Sequence, residues 1–410
     1  MEGLGQGSCL DKALEGVRRA MERTTQTADL LLLYSLAGGS GSGLGSRILE
    51  NLRKNYPRAF IMNVAVAPRP DGDTPLQNYN SVMAAQWMQA YSDGILLFQN
   101  ADLLQSLERL ASSRRAAPAS TGGSTSAPPA RISFAEVNRY IAASLSNTLR
   151  PHTQVNRYIA ASLSNTLLPF PPPGRSAAAA PNTRAARIRD VVATVCPDPA
   201  MKFLELRSAP IPFHSAQVGA RARGAPPWTA LAAELSAMVP RHDALDGGRV
   251  ITSTAAMATL RAAGADGDSR AKCSSAESGA PAGMSARGAS VPGASSTEQH
   301  AGEEAVHALQ RTGVYPSVRW QREQWRYRAH SAPVPGRAAA RALTVVANRS
   351  NVIGPLNTYA SRAAAMLEVG AFVHWYERYD VPKMALWDAM EATQDIVDCY
   401  RYCHGHSRLA

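Results

Sequence analysis

The sequence predicts an α/β protein: a three-layer domain on a mostly parallel sheet, a second α/β domain, and C-terminal helices. Three observations carry this. Short apolar runs alternate with amphipathic segments from residue 28 to residue 110, the pattern of parallel strands joined by helical crossovers. A glycine- and serine-rich turn, L-A-G-G-S-G-S-G-L-G-S at Leu36 to Ser46, separates the first run from the helical segment after it. Polar residues also follow the next two runs, at Asp71 to Asp73 and at Asn100. In such sheets ligands sit beyond the carboxyl ends of the strands, so one ligand could touch all three places.

Taken in order, Leu10 to Arg23 reads as a helix, and Asp29 to Leu36 (D-L-L-L-L-Y-S-L) as a buried parallel strand, short and almost wholly apolar. Leu44 to Lys54 has the spacing of an amphipathic helix. The glycine turn between them would aim unpaired backbone N–H groups and a helix N-terminus at one point, which favours an anion. Ser40 and Ser42 would add hydroxyl donors. The spacing is neither G-x-x-x-x-G-K-S/T nor an in-register G-x-G-x-x-G, and a flexible glycine linker is the plainer alternative. Then come a strand at Ala59 to Ala67, a helix at Leu76 to Tyr91, a strand at Gly94 to Phe98 and a helix from Ala101.

Beyond this unit the pattern is interrupted. Ser112 to Pro129 is rich in Ser, Ala, Pro and Gly and reads as a disordered insertion. The segment V-N-R-Y-I-A-A-S-L-S-N-T-L occurs identically at Val137 to Leu149 and Val155 to Leu167, with Pro151 breaking any shared helix. The first copy is assigned to a central helix resuming at Ile132. Pro169 to Ala186 is a linker, Met201 to Arg207 a strand opening the second domain, and Trp228 to Met238 a helix. Residues 264–304 have too few large apolar side chains to offset the entropy of ordering. Order is expected again at Val314 to Arg328, with a strand at Ala340 to Ala347 and helices at Thr358 to Leu367 and Lys383 to Arg401. Met384, Trp387, Met390, Thr393 and Ile396 form the expected core stripe of the last helix. The expected divisions are a nucleotide domain at 1–168, a linker and the start of an intermediate domain at 169–190, the intermediate domain at 191–356 and a C-terminal segment at 357–410.

The net charge of +11 suggests nucleic acid or an acidic surface as partner. However, 38 of the 43 basic residues are arginines scattered among alanines, which reads as coding bias, so neither nucleic acid nor membrane is expected as a partner. Five widely spread cysteines and an opening without a basic, apolar leader suggest a reducing, intracellular setting. No apolar run reaches the ~20 residues of a membrane span.

The glycine turn G-G-S-G-S-G-L-G resembles the tubulin signature loop. Asn78 to Ser81 (N-Y-N-S), Phe134 to Tyr140 (F-A-E-V-N-R-Y) and Ala371 to Tyr376 (A-F-V-H-W-Y) resemble further tubulin segments in family order. Within the family, I-S-F-A-E-V-N, V-C-P-D-P and V-V-A-N-R-S-N look closest to delta-tubulin. Zeta-tubulin is the near alternative, because D-G-D-T-P-L-Q-N-Y-N at Asp71 to Asn80 is not the usual delta sequence.

The resemblance implies GTP as ligand and allows Mg2+ with it. Ala37, Gly38, Gly39, Ser40, Gly41, Ser42 and Gly43 would hold the phosphates, Asp73 the ribose, and Asn100 and Asn138 the guanine edges, with Phe134 stacked on the base. Asp190, counted back from Pro197, would be the acid offered to a neighbouring subunit's nucleotide; a surface ion pair is the plainer reading. Tubulin-family subunits and microtubules of centrioles, basal bodies and cilia are the implied partners and locations, in the cytoplasm. Only 37 residues precede Gly38. By resemblance this makes an N-terminally truncated member, without the first nucleotide loops and with an exposed sheet edge, which weighs against hydrolysis. A tubulin-like interaction protein that binds no nucleotide is the alternative. His374 reads as packed core, and Cys399, Cys403, His404 and His406 have no second ligand pair for a metal site.

Overall fold

The structure is a computed structural model describing residues 8–24, 28–69, 74–99, 102, 105, 158–160, 162, 163, 166, 167, 188–210, 227–262, 296–321, 324–330 and 341–405. In chain order, helix α1 is Cys9–Glu22, strand β1 Leu30–Ser35, helix α2 Gly45–Asn55, β2 Ile61–Ala67, α3 Gln77–Tyr91, β3 Gly94–Gln99, α4 Ile188–Val195 and β4 Phe203–Ala209. There follow α5 Trp228–Met238, a small hairpin of β5 His242–Asp243 and β6 Arg249–Val250, β7 Ser253–Ala262, α6 Ser296–Arg311, β8 Trp325–His330 and β9 Arg341–Arg349. Helices α7 Ile353–Glu368, α8 Val373–Glu377 and α9 Lys383–Cys403 complete the described chain.

Seven strands form one sheet in the order β1-β2-β3-β4-β9-β7-β8. Strands β1 to β4 are parallel, β9 runs antiparallel to both β4 and β7, and β8 pairs parallel with β7. Side chains alternate across the sheet because a strand's residues point to opposite faces in turn. Met62, Val64, Leu96 and Phe98 join the core under α4, α5 and α6. Ile61, Ala65, Ile95 and Leu97 join the core under α2, α3, α7 and α9. This is the predicted three-layer arrangement with a helical C-terminal region.

Among the described residues strand β1 is one of the two sheet edges, and its two faces differ. Leu30, Leu32 and Tyr34 pack toward the helices, whereas Leu31 is 44% and Leu33 61% exposed. An apolar strand edge invites pairing with other chains. Substituting Leu33→Lys is expected to suppress concentration-dependent light scattering while leaving stability within about 0.5 kcal/mol. Unchanged scattering would clear this edge as the adhesive surface.

Several expectations are corrected. Helix α4, not anticipated as an element, begins at Ile188, just past the Pro169 to Ala186 linker, because Ile188, Val191, Val192 and Val195 give it one buried face. Helix α6 covers 296–304, part of the segment expected to be disordered; it is anchored downstream by buried Ala305, Val306 and Leu309. The expected boundary after 356 falls inside α7. Of the expected stripe, Trp387 and Met390 pack against the core and Thr393 and Ile396 are buried. Steps of three drift about 60° per step around a helix of 3.6 residues per turn, so Met384 at the far end leaves the core face of α9. Its buried residues are Leu386, Ala389, Thr393, Ile396, Val397 and Tyr400, while Met384 is exposed. The described part of the repeat is its second copy, whose Tyr158 and Ile159 are buried against β4, with the Tyr158 hydroxyl accepting the Ser208 N–H at 3.0 Å. The first copy, the insertion at 112–130 and residues 169–187 lie outside the described residues.

Candidate functional site

The chain leaves β1 at Ser35 and turns immediately. Buried Leu36 donates its N–H to Val66 O on β2 at 3.0 Å, which fixes the point of departure. Helical geometry begins at Gly39, passes through one wide turn of π-helix at Ser40–Leu44, and continues as α2. Insertions of this kind recur at functional sites. The opening turn of a helix leaves backbone N–H groups without intrahelical acceptors. Leu36 to Ser46 contains no basic side chain, so an anion here would be held by amides and the helix dipole.

The glycines fall into two groups, and none of those in this loop has a positive φ. A Cβ on Gly41 would lie 2.2 Å from the Ser35 carbonyl oxygen, and one on Gly45 would lie 3.0 Å from the Tyr34 ring. These two are required by the packing of the helix start against β1. Among the described residues, a Cβ on Gly38, Gly39 or Gly43 would meet nothing within 4 Å. The packing of the described residues gives no reason for glycine at those three places, but close approach of an anion to bare backbone does. This is the fit expected of a phosphate cradle.

The serines divide likewise. Ser40 is exposed, as a ligand donor should be. Ser42 corrects the expectation: it is buried, and both its N–H and its hydroxyl donate to the Gly38 carbonyl at 3.0 Å. In a helical turn a serine hydroxyl readily reaches the carbonyl four residues back, so Ser42 braces the loop from within.

Two further motifs converge here. Asn80, in the first turn of α3, donates its side-chain N–H to the Ala37 carbonyl at 2.9 Å and accepts the Tyr376 hydroxyl at 2.8 Å. The neighbouring Tyr79 donates to the Ala371 carbonyl at 3.0 Å, and its ring meets that of Tyr376 edge-on at 5.5 Å. Both segments stood out in the sequence, but no spacing rule could assign either residue to the loop. The same hexapeptide supplies another correction, since His374 is exposed beside Trp375 rather than packed in the core.

The exits of β1, β2 and β3 all lie on the carboxyl side of the sheet. At the β2 exit, Tyr359 holds the Pro68 carbonyl at 2.8 Å and Gln77 holds that of Arg69 at 3.0 Å. Past the β3 exit, Asp102 pairs with buried Arg207. Asp73, Asn100, Phe134 and Asn138 lie outside the described residues.

Asp190 is not brought to this site. Its helix crosses the amino ends of the strands: Arg189 pairs with Asp29 at 2.9 Å and stacks on Phe60, and Val192 packs on Gly94. The six residues of β1 put about 20 Å between that end and the glycine loop. Burial pushes the Cys196 thiol up to about 12 and the Cys399 thiol up to about 11, which leaves both protonated at neutral pH. Among the described residues, no group of three or more His, Cys, Asp or Glu is placed to hold a metal, and no helix is long and apolar enough to cross a membrane.

Residues 5–108 match the Tubulin/FtsZ family, GTPase domain. The chain is 27% identical to the tubulin delta chain of Homo sapiens over 135 residues, which cover 33% of this chain and 26% of that one. It is 24% identical to the tubulin delta chain of Macaca fascicularis over 141 residues, 34% of this chain and 28% of that one. It is 35% identical to the tubulin gamma chain of Saccharomyces cerevisiae over 94 residues, 23% of this chain and 20% of that one. The chain thus spans about a quarter of the length of the curated relatives it matches.

Proposed function

We propose that the chain, whose residues 5–108 match the Tubulin/FtsZ family, GTPase domain, and whose sequence is similar to delta and gamma chains, binds GTP and acts as a delta-type tubulin subunit. The observation that carries this is the glycine loop, with Gly38, Gly39 and Gly43 bare and facing open space at the carboxyl edge of a parallel sheet. The loop Ala37 to Gly43, braced from within by Ser42, holds the phosphates through its free backbone amides, accompanied by Mg2+. Asp73 accepts from the ribose, Asn100 and Asn138 read the guanine, and Phe134 stacks on it.

Asp190 stands at the opposite end of the sheet from that loop. In a head-to-tail pairing with another tubulin-family subunit, the amino end of one sheet meets the carboxyl end of the next. Asp190 is then the carboxylate that orients water for in-line attack on the neighbour's nucleotide, a water-positioning role typical of phosphoryl transfer. The setting is cytoplasmic and cytoskeletal, at the microtubules of centrioles and basal bodies and in cilium assembly; zeta-type is the alternative within the family.

A second reading, a tubulin-like interaction protein without nucleotide, is supported by the exposed Leu31 and Leu33 on the uncovered edge strand. Titrating the full chain with a fluorescent GTP analogue separates the two. Saturable binding displaced by GTP and not by ATP is expected, and its absence transfers the assignment to the second reading. The location is tested by tagging the chain in ciliated cells. Label at basal bodies is expected, and a uniformly diffuse label would sink that part of the assignment.

A further inference from the structure

We infer that Tyr376 and Asn80 form a positioning relay that sets which way the Ala37–Gly38 peptide faces, and with it the first amide of the phosphate loop. The inference rests on the reading of that loop as a phosphate cradle.

The geometry leaves little freedom. The Ala37 carbonyl can only accept, so the Asn80 group 2.9 Å from it must be the NH2. The Asn80 Oδ1 then faces the Tyr376 hydroxyl at 2.8 Å, which must donate. Turning the amide over would set oxygen against oxygen at Ala37. Both ends of the Asn80 side chain are therefore engaged, and its orientation is fixed by a residue 296 positions away in the chain.

The consequence follows from peptide planarity. In a trans peptide the C=O and the N–H of one unit point in opposite directions. Holding the Ala37 carbonyl toward α3 directs the Gly38 N–H away from α3, on the stretch where Gly38 and Gly39 border open space. Were this peptide to rotate, a carbonyl oxygen would face the anion in place of a donor. Tyr376 is itself held: its ring abuts Tyr79, and its carbonyl accepts the N–H of Tyr379 at 2.9 Å and of Val381 at 3.1 Å. The loop is thereby tied to α8, whose neighbourhood exposes Phe372, Trp375 and Tyr379.

The test uses the full chain with Tyr376→Phe, which keeps the ring and removes only the hydroxyl, and Asn80→Ala. Hydrogen exchange of the nucleotide-free protein is followed at the amides of 37–43 and, as an internal control, in α9. Exchange in the loop is expected to rise about fivefold or more in both variants, with α9 unchanged and the double variant no faster than Asn80→Ala alone. Affinity for GTP is expected to fall about three- to tenfold in Tyr376→Phe, as for one lost hydrogen bond. Unchanged loop exchange overturns the relay whatever the nucleotide result. Faster exchange with unchanged GTP affinity overturns its link to the phosphate site. Faster exchange in a chain whose unsubstituted form binds no GTP leaves the relay standing and refutes the GTP-binding reading.

Discussion

Replacing Glu205 by alanine is expected to destabilise the fold by about 3–5 kcal/mol, read as a large downward shift of the urea midpoint. Glu205 and Arg207 lie on β4 and Arg349 on β9, and all three are buried where the parallel and antiparallel parts of the sheet meet. Glu205 accepts from Arg207 Nε at 2.7 Å and from Arg349 Nη1, and Arg207 also pairs with Asp102. The Arg349 Nη2 donates to the carbonyls of Pro240 at 2.8 Å and Val314 at 3.1 Å, and its guanidinium lies over the Tyr315 ring at 4.9 Å. Removing the carboxylate that the two buried guanidiniums share leaves Arg207 with Asp102 but strips the Arg349 charge of its acidic partner at a place that does not reach water. That is the costly case, whereas apolar replacement of a whole buried network is often tolerated.

The same group makes stability depend on pH with a definite sign. Burial alone would raise the Glu205 pKa, but the guanidiniums of Arg349 and Arg207 more than offset it and hold it below the ordinary value of 4.5. A carboxylate whose pKa is depressed by folding stabilises fully above its unfolded value and loses that contribution as pH falls through its folded value. The urea midpoint should therefore fall below about pH 4.5, and Glu205→Gln should flatten that limb. An equally steep acid limb in the glutamine variant would assign the effect to other carboxylates, such as Glu50, which is held low chiefly by its hydrogen bond to Lys54.

Most of the sheet was legible in the sequence, and where it was not, tertiary context overrode local pattern. Strands β1 and β3 are built on apolar runs and β2 on one broken only by Asn63, and α5 coincides with its predicted span because Trp228, Leu231, Leu235 and Met238 repeat at helical intervals. Strand β7 carried no such signal. Its S-T-A-A-M-A-T-L-R-A composition is poor in β-branched and aromatic residues, and it is a strand because β9 and β8 pair with it on both sides. The glycine loop was visible as a loop, but the division of its glycines was not. Whether a glycine is demanded by a neighbouring carbonyl, as at Gly41, or by nothing in the protein, as at Gly38, depends on where Ser35 ends up in space. The Tyr376 to Asn80 contact has the same character. Each motif is legible alone, and only the fold brings them together.

That division of the glycines yields the second large effect. Gly41→Ala should lose both stability and ligand, because its Cβ would fall 2.2 Å from the Ser35 carbonyl oxygen and 3.0 Å from the Ser35 nitrogen, backbone atoms that cannot swing aside. The helix start must move off the strand end, at a cost of about 1–3 kcal/mol, and the loop moves with it. Gly38→Ala and Gly39→Ala should behave otherwise. Their Cβ atoms meet none of the described residues and their φ angles suit any residue, so stability should stay within about 0.5 kcal/mol. The methyl group would instead stand where a phosphate approaches the backbone, and GTP affinity should drop about tenfold or more. Thermal melts and nucleotide titrations on the three variants separate the two roles. If Gly38→Ala and Gly39→Ala both retained full affinity in a chain that binds GTP, the open space beside them would not be the phosphate site, and the ligand would have to be sought at another strand end.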